Sequence, residues 1–92
     1  MIIRDQFDPD LRKMIKKKKQ IAIIPVGSIE QHGAHLPIST DSDIVTEIAS
    51  KLSDKVKGIL LPTISYGISD EHFPFFNLSI KKSTLSRILE DI

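Results

Sequence analysis

Residues 21–66 read IAIIPVGSIEQHGAHLPISTDSDIVTEIASKLSDKVKGILLPTISY, and the order of apolar and polar stretches in them decides the fold. The opening run, IAIIPV (21–26), is continuous and rich in β-branched residues, the pattern of a parallel-sheet strand covered on both faces. Pro25 has no N–H for the ladder, so pairing should weaken at its far end. GSIEQHGAHLPISTD (27–41) follows without helical periodicity and reads as a loop rich in functional side chains. From Ser42 to Lys57, the set Ile44, Val45, Ile48, Ala49, Leu52 and Val56 recurs at spacings of three and four. This predicts an amphipathic helix with that set inward and Gly58 as its stop. ILLPTISY (59–66) reads as a second buried strand.

Strand, loop, helix and strand in this order form a βαβ unit with a right-handed crossover. The fold class is therefore α/β, with a mainly parallel sheet flanked by helices. Open sheets of this kind place ligands beyond the carboxyl ends of their strands, so GSIEQHGAH and YGISDEH should share one edge. Upstream, DPDLRKMIKKKK (8–19) reads as a short amphipathic helix. Asp8 or Asp10 and Pro9 lie at its start, Leu11, Met14 and Ile15 on one face, and Lys16–Lys19 in the last turn. Downstream, FPFFNLSI (73–80) reads as extended and KKSTLSRILEDI (81–92) as a helix. Leu85, Ile88, Leu89 and Ile92 face inward on this reading, with Ser79 or Ser83 as cap.

At 92 residues, 40% apolar and 27% charged, the composition is that of a globular chain, and its length permits one compact unit. A chain this short buries only about 60% of its unfolded surface, a marginal amount for an isolated monomer. Thirteen Lys plus Arg against twelve Asp plus Glu leave +1, which argues against nucleic acid as a partner. Lys16–Lys19 also lack the interleaved aromatics of single-strand binders. The absence of cysteine excludes disulfides and thiolate chemistry and favours an intracellular setting. No apolar run spans a bilayer, and MIIRDQFDPD lacks the apolar core of a secretory signal. The expectation is a cytoplasmic protein without a membrane or nucleic-acid partner.

Three potential metal ligands, Glu30, His32 and Asp41, fall in one loop after a buried strand. In extended chain, residues i and i+2 point to the same side, so Glu30 and His32 can converge on one ion. Asp41 returns at the mouth of the next helix. One imidazole and two carboxylates suit zinc, manganese or iron and leave positions open for water. Each residue also has a plain structural reading. Asp41 is an attractive helix N-cap, and His32 alone is an ordinary hydrogen-bonded loop histidine. His35 has no partner at same-side spacing, which leaves it a substrate or supporting contact, or a structural role.

Taken together, PVGSIEQHGAHLPISTD (25–41) closely resembles the opening motif of the creatininase (creatinine amidohydrolase) family, P-V-G-S-x-E-Q-H-G-P-H-L-P-x-x-T-D. Only Ala34 departs, where the family has proline. LPTISYGISDEH (61–72) looks like the family's Y-G-x-S-x-E-H stretch, in the right order. The resemblance implies a two-metal site with Glu30, His32 and Asp41 as ligands, Asp41 bridging two divalent ions of zinc, manganese or iron. It implies an amidohydrolase that cleaves a non-peptide amide or cyclic amide C–N bond with a metal-activated water. A formamide deformylase acting on a pyrimidine intermediate is the alternative, and peptidases of modified peptides are also relatives. His35, Glu71 and His72 are then candidate catalytic residues, and Ser28, Tyr66 and Ser69 candidate substrate contacts. A small-molecule amide substrate and a homo-oligomer are implied.

Two features set this chain apart from that pattern. After His72 the family reads F-P-G-T-x-S, where this chain has FPFFNLS (73–79). The family's later N-G-H-G-G-N stretch and following glutamate, which bring the remaining ligands, do not occur before Ile92. Residues 1–92 are therefore expected to be the N-terminal part of a single creatininase-like domain, incomplete at its C-terminal end. A missing C-terminal part or a second polypeptide would complete it. The competing expectation is a truncated, catalytically incomplete interaction module or half of a split enzyme.

Overall fold

Ile59 and Leu60 are the apolar pair that the rest of the chain closes over, at 5% and 6% exposure. A computed structural model describes all residues, Met1–Ile92, in the order α1 (Asp8–Lys17), β1 (Ala22–Ile23), β2 (Ile29–Glu30), α2 (Thr40–Val56), β3 (Ile59–Leu60), β4 (Asn77–Leu78) and α3 (Lys82–Asp91). β1 runs parallel to β3 with Ala22 opposite Ile59 and Ile23 opposite Leu60. Beyond Pro25 the pairing resumes at Val26 opposite Ile64, through Ile64 N–H to the Pro25 carbonyl and Gly27 N–H to the Ile64 carbonyl. On the other side of β3, Ile2 pairs with Leu60 in parallel, so β3 is the middle of three segments. The α/β class and the strand–helix–strand order are as the sequence predicts.

Burial differs from the expectation in two places. β1 is not covered on both faces: Ala22 is exposed, and Ile21 before it is 58% exposed, because β1 is an edge while β3 takes the centre. α2 turns a different face inward from the one its apolar periodicity marks. Its buried residues are Ser42, Ala49 and Ser53, while Ile44, Ile48 and Leu52 stand 54%, 61% and 47% exposed. Close approach is the cause. A Cβ on Gly27 would come within 2.6 Å of the Ser42 Cα, so the helix reaches the strand edge only through small side chains. Ser53 Oγ then donates to the Gly58 carbonyl at 3.0 Å and ties the helix end to β3.

The helix termini also depart from the predicted caps. α2 starts at Thr40 after Ser39, which makes no side-chain cap bond, so Asp41 lies within the first turn and is not the N-cap. The left-handed residue at its end is Lys57, at φ 54°, rather than Gly58. Gly58 serves another need: a Cβ there would meet the Ile21 carbonyl oxygen at 2.8 Å. α3 is preceded by Lys81, not capped by Ser79 or Ser83, and α1 by Phe7 with Pro9 in its first turn.

A second, antiparallel pair joins the two polar loops. Ile29 faces Leu78 and Glu30 faces Asn77, and Gln31 N–H donates to the Phe76 carbonyl at 2.8 Å. The segment read as loop therefore holds a short strand, β2, which fixes Glu30 on backbone hydrogen bonds. Nine of the 92 residues are buried, and Phe73, Phe75 and Phe76 are 81%, 65% and 56% exposed, so large apolar surfaces stand open. The radius of gyration, 15.6 Å, exceeds the roughly 12 Å of a compact chain of this length. No helix is long and apolar enough to cross a membrane.

Candidate metal centre

β2 carries Glu30, the turn after it carries His32, and the first turn of α2 carries Asp41. Ligand atoms of these three side chains all lie within 4.8 Å of one another. The i and i+2 placement on extended chain thus brings Glu30 and His32 to one point, and the close approach of α2 delivers Asp41 to it. His32 Nδ1 donates to the Glu30 backbone carbonyl at 3.2 Å, since a carbonyl can only accept. Its Nε2, the nitrogen that carries the lone pair when the ring is neutral, faces Asp41 Oδ2 at 3.4 Å. A proton on Nε2 or a metal cation can stand between these two atoms, and the cluster offers the cation an imidazole nitrogen and two carboxylates. The donor set therefore fits a divalent ion of the zinc or manganese type.

The electrostatics of the carboxylates agree with a cation site. Burial raises the Glu30 carboxyl above the usual glutamate range, and its hydrogen bond with Asp41 adds to the shift. That same hydrogen bond lowers Asp41 below the usual aspartate range, helped by Ser28. Ser28 Oγ donates to Asp41 Oδ2 at 3.1 Å. Of these two neighbouring carboxylates, Glu30 is the one that takes up a proton first as pH falls in the metal-free site.

The second polar loop arrives on the same edge, as expected of YGISDEH. His72, in a short helical turn at Asp70–His72, places Nε2 at 3.3 Å from Glu30 Oε2 and Nδ1 at 3.0 Å from Gln31 Nε2. Glu71 lies at the rim, with its side chain 66% exposed and 4.0 Å from His72. Tyr66 is 56% exposed near this edge of the chain, and His35 is exposed beside Gly33. Ser69 has 0% exposure; its hydroxyl donates to the Leu78 carbonyl and its N–H to Ser79 Oγ, which fastens this loop to β4. Ser28 likewise holds Asp41 rather than facing outward.

Sequence reasoning passed over Gln31. Strand alternation puts it on the opposite side from Glu30 and His32, which hides it, yet its side chain bridges two loops. Gly33 N–H donates to Gln31 Oε1 at 3.0 Å, with Gly33 at φ 67°, a left-handed conformation in which glycine is at ease. The glycine beside a polar triplet was the available signal.

Comparison with known proteins places this architecture. A family model described as creatinine amidohydrolase matches residues 5–92. The mycofactocin precursor peptide peptidase of Mycobacterium ulcerans is 40% identical over 62 residues, covering 58% of this chain and 25% of that protein. Its counterpart in Mycobacterium tuberculosis is 36% identical over 78 residues, 73% of this chain and 31% of the relative. The creatinine amidohydrolase of Pseudomonas putida is 27% identical over 79 residues, 78% and 30% of the two chains. A crystal structure of creatininase superposes with TM-score 0.87 at 23% identity, covering 98% of this chain and 37% of that one. A manganese form of creatininase gives the same TM-score at 22% identity, with the same coverage. The chain thus spans about a third or less of the length of its relatives, and it belongs to the creatininase family.

Proposed function

We propose that Glu30, His32 and Asp41 hold a divalent metal ion, zinc or manganese, and that these residues are the front part of the active site of an amidohydrolase. The observation that carries this reading is the convergence of ligand atoms from Glu30, His32 and Asp41 within 4.8 Å of one another, with His32 Nδ1 held by the Glu30 carbonyl and Nε2 turned to Asp41. A divalent ion there supplies Lewis acidity toward an amide carbonyl and lowers the pKa of a water. The chain's own residues perform the rest. Ser28 aims Asp41 through its hydroxyl, and the Glu30 carbonyl sets the ring of His32. Glu71, His35 and Tyr66, all exposed, are on this reading the residues open to contact with an amide substrate. Asp41 would also be a ligand to a second ion, whose remaining ligands would come from further chain.

Residues 1–92 are on this reading the N-terminal part of one domain, completed by further chain. The exposed Ile44, Ile48 and Leu52 and the bare Phe73, Phe75 and Phe76 support it. The scissile bond is the open choice. Identities of 36% and 40% to precursor peptide peptidases, against 27% to a creatinine amidohydrolase, favour a peptide over a cyclic amide. The test is metal analysis of the natural gene product, followed by hydrolysis assays with a peptide amide, a cyclic amide and a formamide. Bound divalent ion with metal-dependent turnover of one class supports the reading. A protein that binds no divalent ion and turns over none of the three sinks it.

A further inference from the structure

Outside the three candidate ligands, one chain of hydrogen bonds ends on the site and has a direction. Gly33 N–H can only donate, so the Gln31 atom facing it at 3.0 Å is the oxygen. The Gln31 amide nitrogen is thereby turned toward His72 Nδ1, which lies 3.0 Å away and must accept. A neutral imidazole that accepts at Nδ1 carries its proton at Nε2, and that nitrogen stands 3.3 Å from Glu30 Oε2. One backbone N–H thus fixes an amide orientation, the amide fixes a tautomer, and the tautomer presents a donor to a carboxylate.

We propose that His72 is a positioning residue for Glu30, set in its Nε2–H tautomer by the Gly33–Gln31 relay, and that it anchors one carboxylate oxygen so that the other is presented to a cation. This rests on the metal-site reading above. Glu30 is 13% exposed and His72 25%, so water competes weakly for this bond. Glu71, 66% exposed and 4.0 Å away, is the other carboxylate within ion-pair distance of the ring and is too open to replace Glu30, while Asp41 acts on it from further off. Glu30, Glu71 and His72 also cluster closely enough to suggest a second ion. The relay argues against His72 as a ligand there, because it places a proton where a ligating nitrogen needs a lone pair.

The experiment uses the natural full-length protein and four variants, His72→Leu, His72→Gln, Gln31→Leu and His32→Ala. Zinc and manganese affinities are measured by chelator competition, and ring tautomers by 15N-histidine spectra of the metal-free protein. His72→Leu is expected to weaken binding about 10- to 100-fold, the usual range for a partner that orients a ligand. His72→Gln keeps an N–H near the Nε2 position and is expected to stay within about threefold of the parent, the scale of a retained hydrogen bond. Gln31→Leu should fall between them, and its His72 should show mixed tautomers where the parent shows Nε2–H alone. Unchanged affinity in His72→Leu overturns the proposal, as does an Nδ1–H tautomer in the parent. If both His72 variants lose the ion as fully as His32→Ala, the residue is a ligand and the positioning role is wrong. If His32→Ala binds as the parent does, the metal-site reading fails, and the tautomer spectrum alone then decides the relay.

Discussion

The Nε2 of His32 lies 3.4 Å from Oδ2 of Asp41 while its Nδ1 is committed to the Glu30 carbonyl. Asp41→Asn separates the two roles this contact can have. An amide nitrogen at the Oδ2 position donates to Nε2 of the neutral imidazole, and the Ser28 hydroxyl, 3.1 Å from that atom, can turn to accept. The variant is expected to melt no lower than the parent when both are metal-free, yet to bind zinc at least about 100-fold more weakly, beyond the range of a merely orienting partner. Thermal melts and chelator competition check both halves. Undiminished zinc affinity would remove Asp41 from the site.

Glu30→Gln tests which carboxylate takes the proton first. Glu30 has its pKa raised in the folded protein, so the folded state holds a proton that the unfolded state gives up. That contribution to stability is complete below the ordinary glutamate pKa and is lost as pH rises through the folded value. Asp41, lowered, works in the opposite sense: its contribution is present above the ordinary aspartate pKa and lost as pH falls through the folded value. A glutamine donates permanently to Asp41 and has no proton to lose. Metal-free Glu30→Gln should therefore gain melting temperature over the parent at pH 7 and lose that advantage at pH 4. Equal differences at the two pH values would contradict this order of protonation.

Gly27 sits where β1's extension, α2 and the second loop converge. A Cβ there would lie 2.6 Å from the Ser42 Cα, and one on Gly67 would lie 2.6 Å from the Gly27 carbonyl oxygen. Both obstacles are backbone, which cannot swing aside. Gly27→Ala and Gly67→Ala are each expected to destabilise by about 1–3 kcal/mol, the scale of overpacking a close contact. Gly27→Ala should also weaken metal binding, because it pushes Asp41 away from Glu30. Urea melts with metal titration read the two effects, and a neutral Gly27→Ala would mean that the helix does not approach as described.

The α/β order, the parallel pairing and the shared edge of the two polar loops were legible because they follow from local periodicity and chain direction. Glu30 and His32 were legible for the same reason, through alternation along an extended segment. Gln31 was not, because its role depends on a turn at Gly33 and on a histidine 41 positions further along the chain. The second strand pair was hidden because Ile29–Glu30 and Asn77–Leu78 are too short to show a period. Asp41 read equally well as a cap or a ligand, since one carboxylate at a helix start suits both. The start at Thr40 settles only that it is no cap.

The neighbours Ile48 and Ala49 give the sharpest contrast between periodicity and packing. Apolar spacing assigns both to one inward face, yet Ile48 is 61% exposed and Ala49 5%. α2 meets the sheet through Ser42, Ala49 and Ser53, so the volume at those positions sets the distance of the helix from the strands. Ala49→Leu forces three further carbons into that gap and is expected to cost about 1–3 kcal/mol. Ile48→Lys in the chain of 92 residues should change stability by no more than about 0.5 kcal/mol, the range of surface substitutions. Chemical denaturation of the two variants beside the parent measures both. If Ile48→Lys proved the more damaging, the helix would be rotated from the face described, and Asp41, in its first turn, would no longer point at His32.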